Sequence, residues 1–206
     1  MKQVEETADL VGEYVNLYQV HSATVESGIL TNVDAHAAMA KCRRQRGWKL
    51  GLSVSGPTQD KVLSLAMDIK AEGEYFPLFD SVQCTYNVLE QRPGAALLEA
   101  HERGMDIIIK EGLANGRALR HSSVIAYSRK LNCEPDHLAL GCILAQPFYP
   151  RVLSGALTAD HLESNWKAVN VADKLRSDPA LLKEIMDSCV VPSEEYWDER
   201  SALKWN

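Results

Sequence analysis

Three short stretches hold the residue types from which a polar active site can be built, and each closes an apolar run. Gln19-Val20-His21-Ser22 ends its run with an imidazole, a group able to donate or accept a proton near neutral pH. It stands at the C-terminal end of a predicted strand, where barrel enzymes keep their chemistry. Leu50-Gly51-Leu52-Ser53-Val54-Ser55-Gly56-Pro57 ends in two hydroxyls and a glycine turn that lets backbone approach a ligand closely. Val82-Gln83-Cys84-Thr85-Tyr86-Asn87 places an amide and a phenol near a third strand end. Each also has a plain structural reading: a histidine satisfied within the fold, an ordinary strand-to-helix turn, a strand with a polar exit.

The elements that must position these residues alternate. Short, partly β-branched runs at 15–20, 50–54, 81–84, 106–110 and 151–154 read as strands. Stretches of helical period lie at 35–44, 59–71, 94–103, 122–131, 136–144, 159–169 and 179–188. Thr58-Gln59-Asp60 after Gly56-Pro57 reads as a capped helix start, Gly104 as a helix stop, and Ser177-Asp178-Pro179 as a second start. Strand-helix alternation without a Pro/Gly/Ser-rich linker predicts one domain built on a parallel sheet. Periodicity leaves open whether that sheet is doubly wound or part of a (β/α)8 barrel. No GxGxxG turn follows an early strand, which argues against a doubly wound nucleotide-binding domain.

Composition narrows the partners. Of 206 residues, 46% are hydrophobic and 24% charged, enough for a buried core, and the net charge of −6 comes without any long basic run. That argues against nucleic acid and against an anionic membrane surface. Lys41-Cys42-Arg43-Arg44-Gln45-Arg46 is the nearest approach to a basic patch and suits the last turn of a helix. The longest apolar stretches fall well short of the roughly 20 residues that cross a bilayer. The acidic start Met1-Lys2-Gln3-Val4-Glu5-Glu6 lacks the features of a secretory leader, so a cytoplasmic location is expected. Five scattered cysteines without a CxxC pair suit small buried side chains. Asp34, His36, Asp136 and His137 lack an i, i+4 ligand spacing, so no metal site is expected.

Taken in order along the chain, the three stretches and a late fourth resemble the aldo/keto reductase family, whose strands four to eight carry QxH, GxSN, VQxxYN and GAxxxxQLxxN. Here they stand as Gln19-Val20-His21, Gly51-Leu52-Ser53-Val54, Val82-Gln83-Cys84-Thr85-Tyr86-Asn87, and a run from Gly155-Ala156-Leu157-Thr158 to Ser164-Asn165. The helix 138–144 with Gln146-Pro147 resembles the family's helix before strand eight. Lys110-Glu111-Gly112-Leu113-Ala114-Asn115-Gly116-Arg117 resembles the strand-seven exit of one family branch. The resemblance covers nearly the whole chain. It implies an α/β fold, a partial (β/α)8 TIM barrel corresponding to strands four to eight, in a single domain over 1–206 that lacks the first three βα units.

The resemblance further implies an oxidoreductase that, if complete, interconverts carbonyls and alcohols with NADP(H). It assigns His21 to orienting the substrate oxygen, and Ser53 and Gln83 to the nicotinamide carboxamide. It puts Gly155, the helix N-terminus after it, and Asn165 beside the adenine and its ribose phosphate. Lys110 stands where many members stack a tyrosine on the nicotinamide, and His161 where an Arg or Gln often meets the adenosine end. Lys110, Arg117 and His161 would lend positive charge to phosphates. The family's catalytic Asp, Tyr and Lys come from its first three strands, and neither Tyr18 nor Tyr86 stands at the donor position. A second function class therefore stays open, a non-catalytic remnant that binds a nucleotide cofactor or a partner protein. Expected partners are a small carbonyl substrate and, because five strands leave open edges and an interior expected to be apolar, a second copy or another protein covering the open barrel edge.

Overall fold

β-branched and leucine-rich runs, each bounded by a polar turn, form five parallel strands: β1 (Leu17–Ala23), β2 (Lys49–Val54), β3 (Ser81–Thr85), β4 (Asp106–Lys110) and β5 (Arg151–Val152). The structure, a computed structural model, describes residues 2–204. The strands pair in chain order, β1-β2-β3-β4-β5, each with its neighbour in parallel. A doubly wound sheet reverses its order at a switch point, and this sheet does not. Of the two parallel architectures open to the sequence it is therefore the barrel's, with five strands where a closed (β/α)8 barrel has about eight.

The helices are α1 (Lys2–Val11), α2 (Val33–Arg46), α3 (Gln59–Ala66), α4 (Gly94–Glu102), α5 (Ser122–Lys130), α6 (Pro135–Leu144), α7 (Ala159–Trp166), α8 (Ala168–Ser177), α9 (Pro179–Cys189) and α10 (Ser193–Ser201). Asn32 caps α2 by accepting from Ala35 N at 3.0 Å, and Asp178 caps α9 by accepting from Leu181 N at 3.0 Å. Thr58 precedes α3 as expected, but its hydroxyl makes no cap bond. From α2, Arg43 reaches across to Asp80 at 3.0 Å, and the same carboxylate oxygen accepts from Leu50 N at 2.7 Å, tying helix, loop and β2 together.

Strand register sorts side chains onto two faces, because paired residues in neighbouring strands point the same way. Leu50, Leu52, Val54, Val82, Cys84, Ile107 and Ile109 lie on one face and are buried in the main core with helix residues such as Leu63, Leu97, Leu138 and Ile143. Gln19, Gly51, Ser53, Ser81, Gln83, Thr85, Ile108 and Lys110 share the other face. The expectation of an apolar open interior is thus overturned: apart from Leu17 and Ile108, and Gly51 with no side chain, the residues of this face are polar. The apolar core lies on the helix side of the sheet, so nothing requires the second face to be apolar. Ser81 Oγ and Thr85 Oγ1 on this face are buried and make no hydrogen bond in the structure.

Element boundaries differ from the sequence reading where packing intervenes. β1 begins at Leu17 and continues to Ala23, because buried Ala23 pairs with Val54 beyond an irregularity after Val20. His21 consequently lies inside the strand. α3 stops at Ala66, where Ile69 N bonds to Ala66 O and Leu78 N to Ile69 O, turning the chain back toward β3. The predicted helix 159–169 divides at Lys167, whose N–H bonds to Ser164 O at 2.9 Å. Its first part, α7, buries no residue, whereas α8 buries Ala168, Val171, Ala172 and Leu175. β5 keeps only two residues of the predicted four, with Leu153 N adding one further bond to Ile109 O at 2.8 Å.

α6 and α8 approach closely at Gly141, where an added Cβ would come within 2.8 Å of Val171 Cβ and 3.2 Å of Ala168 O. Gly141→Ala must push the two helices apart. The expected cost is about 1–3 kcal/mol, read as a lower urea midpoint, and an unchanged midpoint would contradict this packing.

Candidate functional site

The C-terminal ends of β2, β3 and β4 bring three of the expected site residues into one cluster. Lys110, the last residue of β4, donates from Nζ to Ser53 Oγ at 3.0 Å and to Ser55 Oγ at 2.7 Å. Ser53 Oγ in turn donates to Gln83 Oε1 at 3.5 Å. Ser53 is buried, and Gln83 and Lys110 are half-buried. Among the described residues no carboxylate forms an ion pair with Lys110, so its ammonium is held by hydroxyls alone. Burial pulls its pKa below the ordinary lysine value, with the Glu111 carboxylate a weaker, opposing influence.

Glu111 follows directly but turns away, in the left-handed backbone region at φ 55°. Its carboxylate accepts from Arg200 Nη2 at 2.8 Å and from Tyr196 Oη at 3.4 Å, both on α10. Asn87, at the exit of β3, donates to Glu111 O at 3.0 Å and to Tyr196 Oη at 3.0 Å. The turn after β4 is therefore fastened to α10 while Lys110 stays on the polar face. Arg117, expected near phosphates, is instead engaged with Glu199 at 2.9 Å and Tyr196 O at 3.1 Å.

His21 is not joined to this cluster. It is exposed on β1, and its ring nitrogens lie 3.4 and 3.5 Å from the hydroxyl of Ser22, a residue at φ 53°. Tyr86 is buried edge-on against Phe148 with its ring centroid 5.3 Å away, and burial raises its pKa. Burial likewise pushes the Tyr196 phenol up to about 12. Neither phenol is tuned toward neutral pH.

The other three expected residues gather beyond β5. Gly155, at φ 64°, turns the chain into α7, whose cap Thr158 accepts from His161 N at 3.2 Å. Asn165 Nδ2 donates back to Ser154 O at 3.1 Å and Ser154 Oγ at 3.0 Å, closing the loop. A cavity of about 320 Å³ opens here, with Gly155, His161 and Asn165 in its wall together with Asp136, Ser154 and Ser164.

Sequence reasoning missed several of these groups. Ser55 was visible only as one of two hydroxyls at a strand exit. Asp136 lacks a ligand spacing in the sequence, and in the structure it accepts from Ser164 Oγ at 2.6 Å and lines the cavity. Four of the five cysteines are buried and Cys133 is half-buried, all as free thiols. Among the described residues no group of three or more His, Cys, Asp or Glu could hold a metal ion, and no helix is long and apolar enough to cross a membrane.

Comparison with solved structures places this arrangement among known folds. The chain is similar to an aldo-keto reductase from Bacillus halodurans in its holo form, with TM-score 0.64 and 17% identity over 94% of this chain and 68% of that one. The apo form of that protein aligns with TM-score 0.66 at 17% identity, covering 94% and 70%. A thermostable aldo-keto reductase in complex with the inhibitor epalrestat aligns with TM-score 0.61 at 21% identity, covering 85% of this chain and 64% of that one. The chain has the aldo-keto reductase fold over the part it spans. No family model and no curated protein matches the sequence.

Lys110 makes the cluster testable by pH. Its folded pKa lies below the ordinary 10.5, so the folded chain binds this proton more weakly than the unfolded chain. The resulting penalty is fully present below the depressed pKa and fades as pH rises toward the ordinary value. Relative to Lys110→Met, which cannot titrate, the native chain should gain stability across that window. Urea midpoints at a series of pH values check this, and a flat or falling difference would contradict it.

Proposed function

We propose that the chain is a cytoplasmic oxidoreductase domain of the aldo-keto reductase kind, a single domain over 1–206, which binds a nicotinamide dinucleotide along the ends of β2 to β5 and interconverts small carbonyls and alcohols. The observation that carries this reading is the hydrogen-bonded Ser53–Gln83–Lys110 cluster on a polar sheet face, with a separate cavity beyond β5 in the same fold.

The residues at the first end suit a nicotinamide. A carboxamide offers both donors and an acceptor, and Ser53 and Gln83 offer both in return. The buried, unpartnered Ser81 and Thr85 hydroxyls on the same face add capacity for polar contacts. At the second end the cavity wall of Gly155, His161 and Asn165 suits an adenosine. The resemblance implies the phosphorylated cofactor, NADP(H), a point on which the charge of that cavity bears directly.

When bound, the cofactor supplies a hydride. The chain's own part is to orient and to manage charge. Lys110 brings a desolvated positive charge to the strand ends, where it stabilises negative charge on a nearby oxygen more strongly than a fully hydrated lysine would. Its depressed pKa also makes its proton easier to release than those of Tyr86 and Tyr196, whose pKa values are raised. His21 is the residue proposed to orient the substrate oxygen, from an exposed position on β1.

The raised pKa values of both phenols favour keeping a second reading: a domain that holds the dinucleotide or a partner protein without turnover. Reduced cofactor mixed with small aldehydes separates the two. Loss of the reduced nicotinamide absorbance supports the oxidoreductase, and binding without such loss supports the second reading. Ser53→Ala and Gln83→Ala should each weaken dinucleotide binding roughly two- to tenfold by calorimetry, as expected for one lost hydrogen bond. Unchanged affinity in both would place the nicotinamide elsewhere.

A further inference from the structure

We infer that the adenosine end accepts a ribose with a free 2′-hydroxyl, as in NAD(H), and disfavours the 2′-phosphate of NADP(H); this rests on the dinucleotide reading above. A 2′-phosphate is anionic and its oxygens chiefly accept hydrogen bonds, so a site for it supplies cations or free N–H groups. The cavity beyond β5 is poor in both. Its ionisable lining residues are Asp136 and His161, and no Lys or Arg lines it.

Three of the local donors are already used within the loop. Ala156 N bonds to Ser154 Oγ at 3.1 Å, His161 N to Thr158 Oγ1 at 3.2 Å, and Asn165 Nδ2 to Ser154 O at 3.1 Å. The N-terminus of α7 also carries its own anion, Asp160, in the first turn. A phosphate would meet that charge at the place where the helix dipole would otherwise favour it.

Asp136 supplies the opposite preference. Its Oδ2 accepts from Ser164 Oγ at 2.6 Å, and Ser164 Oγ lies 3.0 Å from His137 Nε2. With the serine proton given to Asp136, the imidazole donates from Nε2, while its Nδ1 accepts from Glu134 N at 3.4 Å. This chain fixes the carboxylate in the cavity wall, with its Oδ1 3.8 Å from His137 Nε2 and in no hydrogen bond among the described residues. A ribose hydroxyl can donate to such an oxygen, whereas a phosphate is repelled by it.

Calorimetric titration of the full chain with NADH and with NADPH, at one ionic strength, tests the inference. NADH should bind about tenfold or more tightly than NADPH. Asp136→Asn, which keeps the side-chain shape, should narrow the gap by raising NADPH affinity. His161→Arg should do the same from an exposed position that leaves the core untouched. NADPH binding as tightly as NADH overturns the inference and leaves the dinucleotide reading standing. Binding of neither overturns both. A gap that neither variant narrows overturns the assignment to this cavity.

Discussion

Among the described residues the apolar core joins the helices to one face of this parallel sheet, and the rest of the structure follows from that. Side chains alternate along a strand, so every residue pointing to the helices is matched by one pointing away. The first set carries the burial of Leu50, Leu52, Val82, Ile107 and Ile109. The second set is left free to be polar, and Gln19, Ser53, Ser81, Gln83 and Lys110 occupy it. Because the strands keep chain order and run parallel, their C-terminal ends align, and groups more than fifty positions apart in sequence, such as Ser53 and Lys110, come within hydrogen-bond distance.

Keeping a lysine half-buried among hydroxyls costs stability, since neutral partners compensate a cation less fully than a carboxylate does. The adjacent Glu111 could have neutralised it, yet its left-handed backbone and its bonds to Arg200 and Tyr196 turn the carboxylate toward α10. The two charges are thus separated, one tying the loop down and the other left to act at the strand ends. The cavity beyond β5 follows the opposite logic. There a carboxylate is held in place by Ser164 and His137, and no lysine or arginine stands in the wall. A ligand spanning both ends would meet positive charge at one and negative charge at the other.

Much of this was legible in the sequence because strand-helix alternation and four ordered motifs are local patterns. All five strands were found, and Ser53, Gln83 and Lys110 came together as their positions at strand ends imply. What was not legible depends on tertiary partners. The division of α7 from α8 follows from α8 packing on Gly141, which residues 159–169 alone do not reveal. His21 lies within β1 rather than at its end because Ala23 extends the pairing to Val54. The polar character of the open face was readable in principle from the alternation Gly51, Ser53 and Ser81, Gln83. The role of Asp136 in the cavity wall has no local signal, since its partner Ser164 lies on a different helix.

In the proposed reading one dinucleotide bridges the Ser53–Gln83–Lys110 cluster and the cavity beyond β5. A nuclear magnetic resonance titration with NADH, following the side-chain amides of Gln83 and Asn165 together, addresses it directly. Both resonances should move along the same saturation curve with one dissociation constant. Movement of only one amide, or two curves with different midpoints, would contradict it.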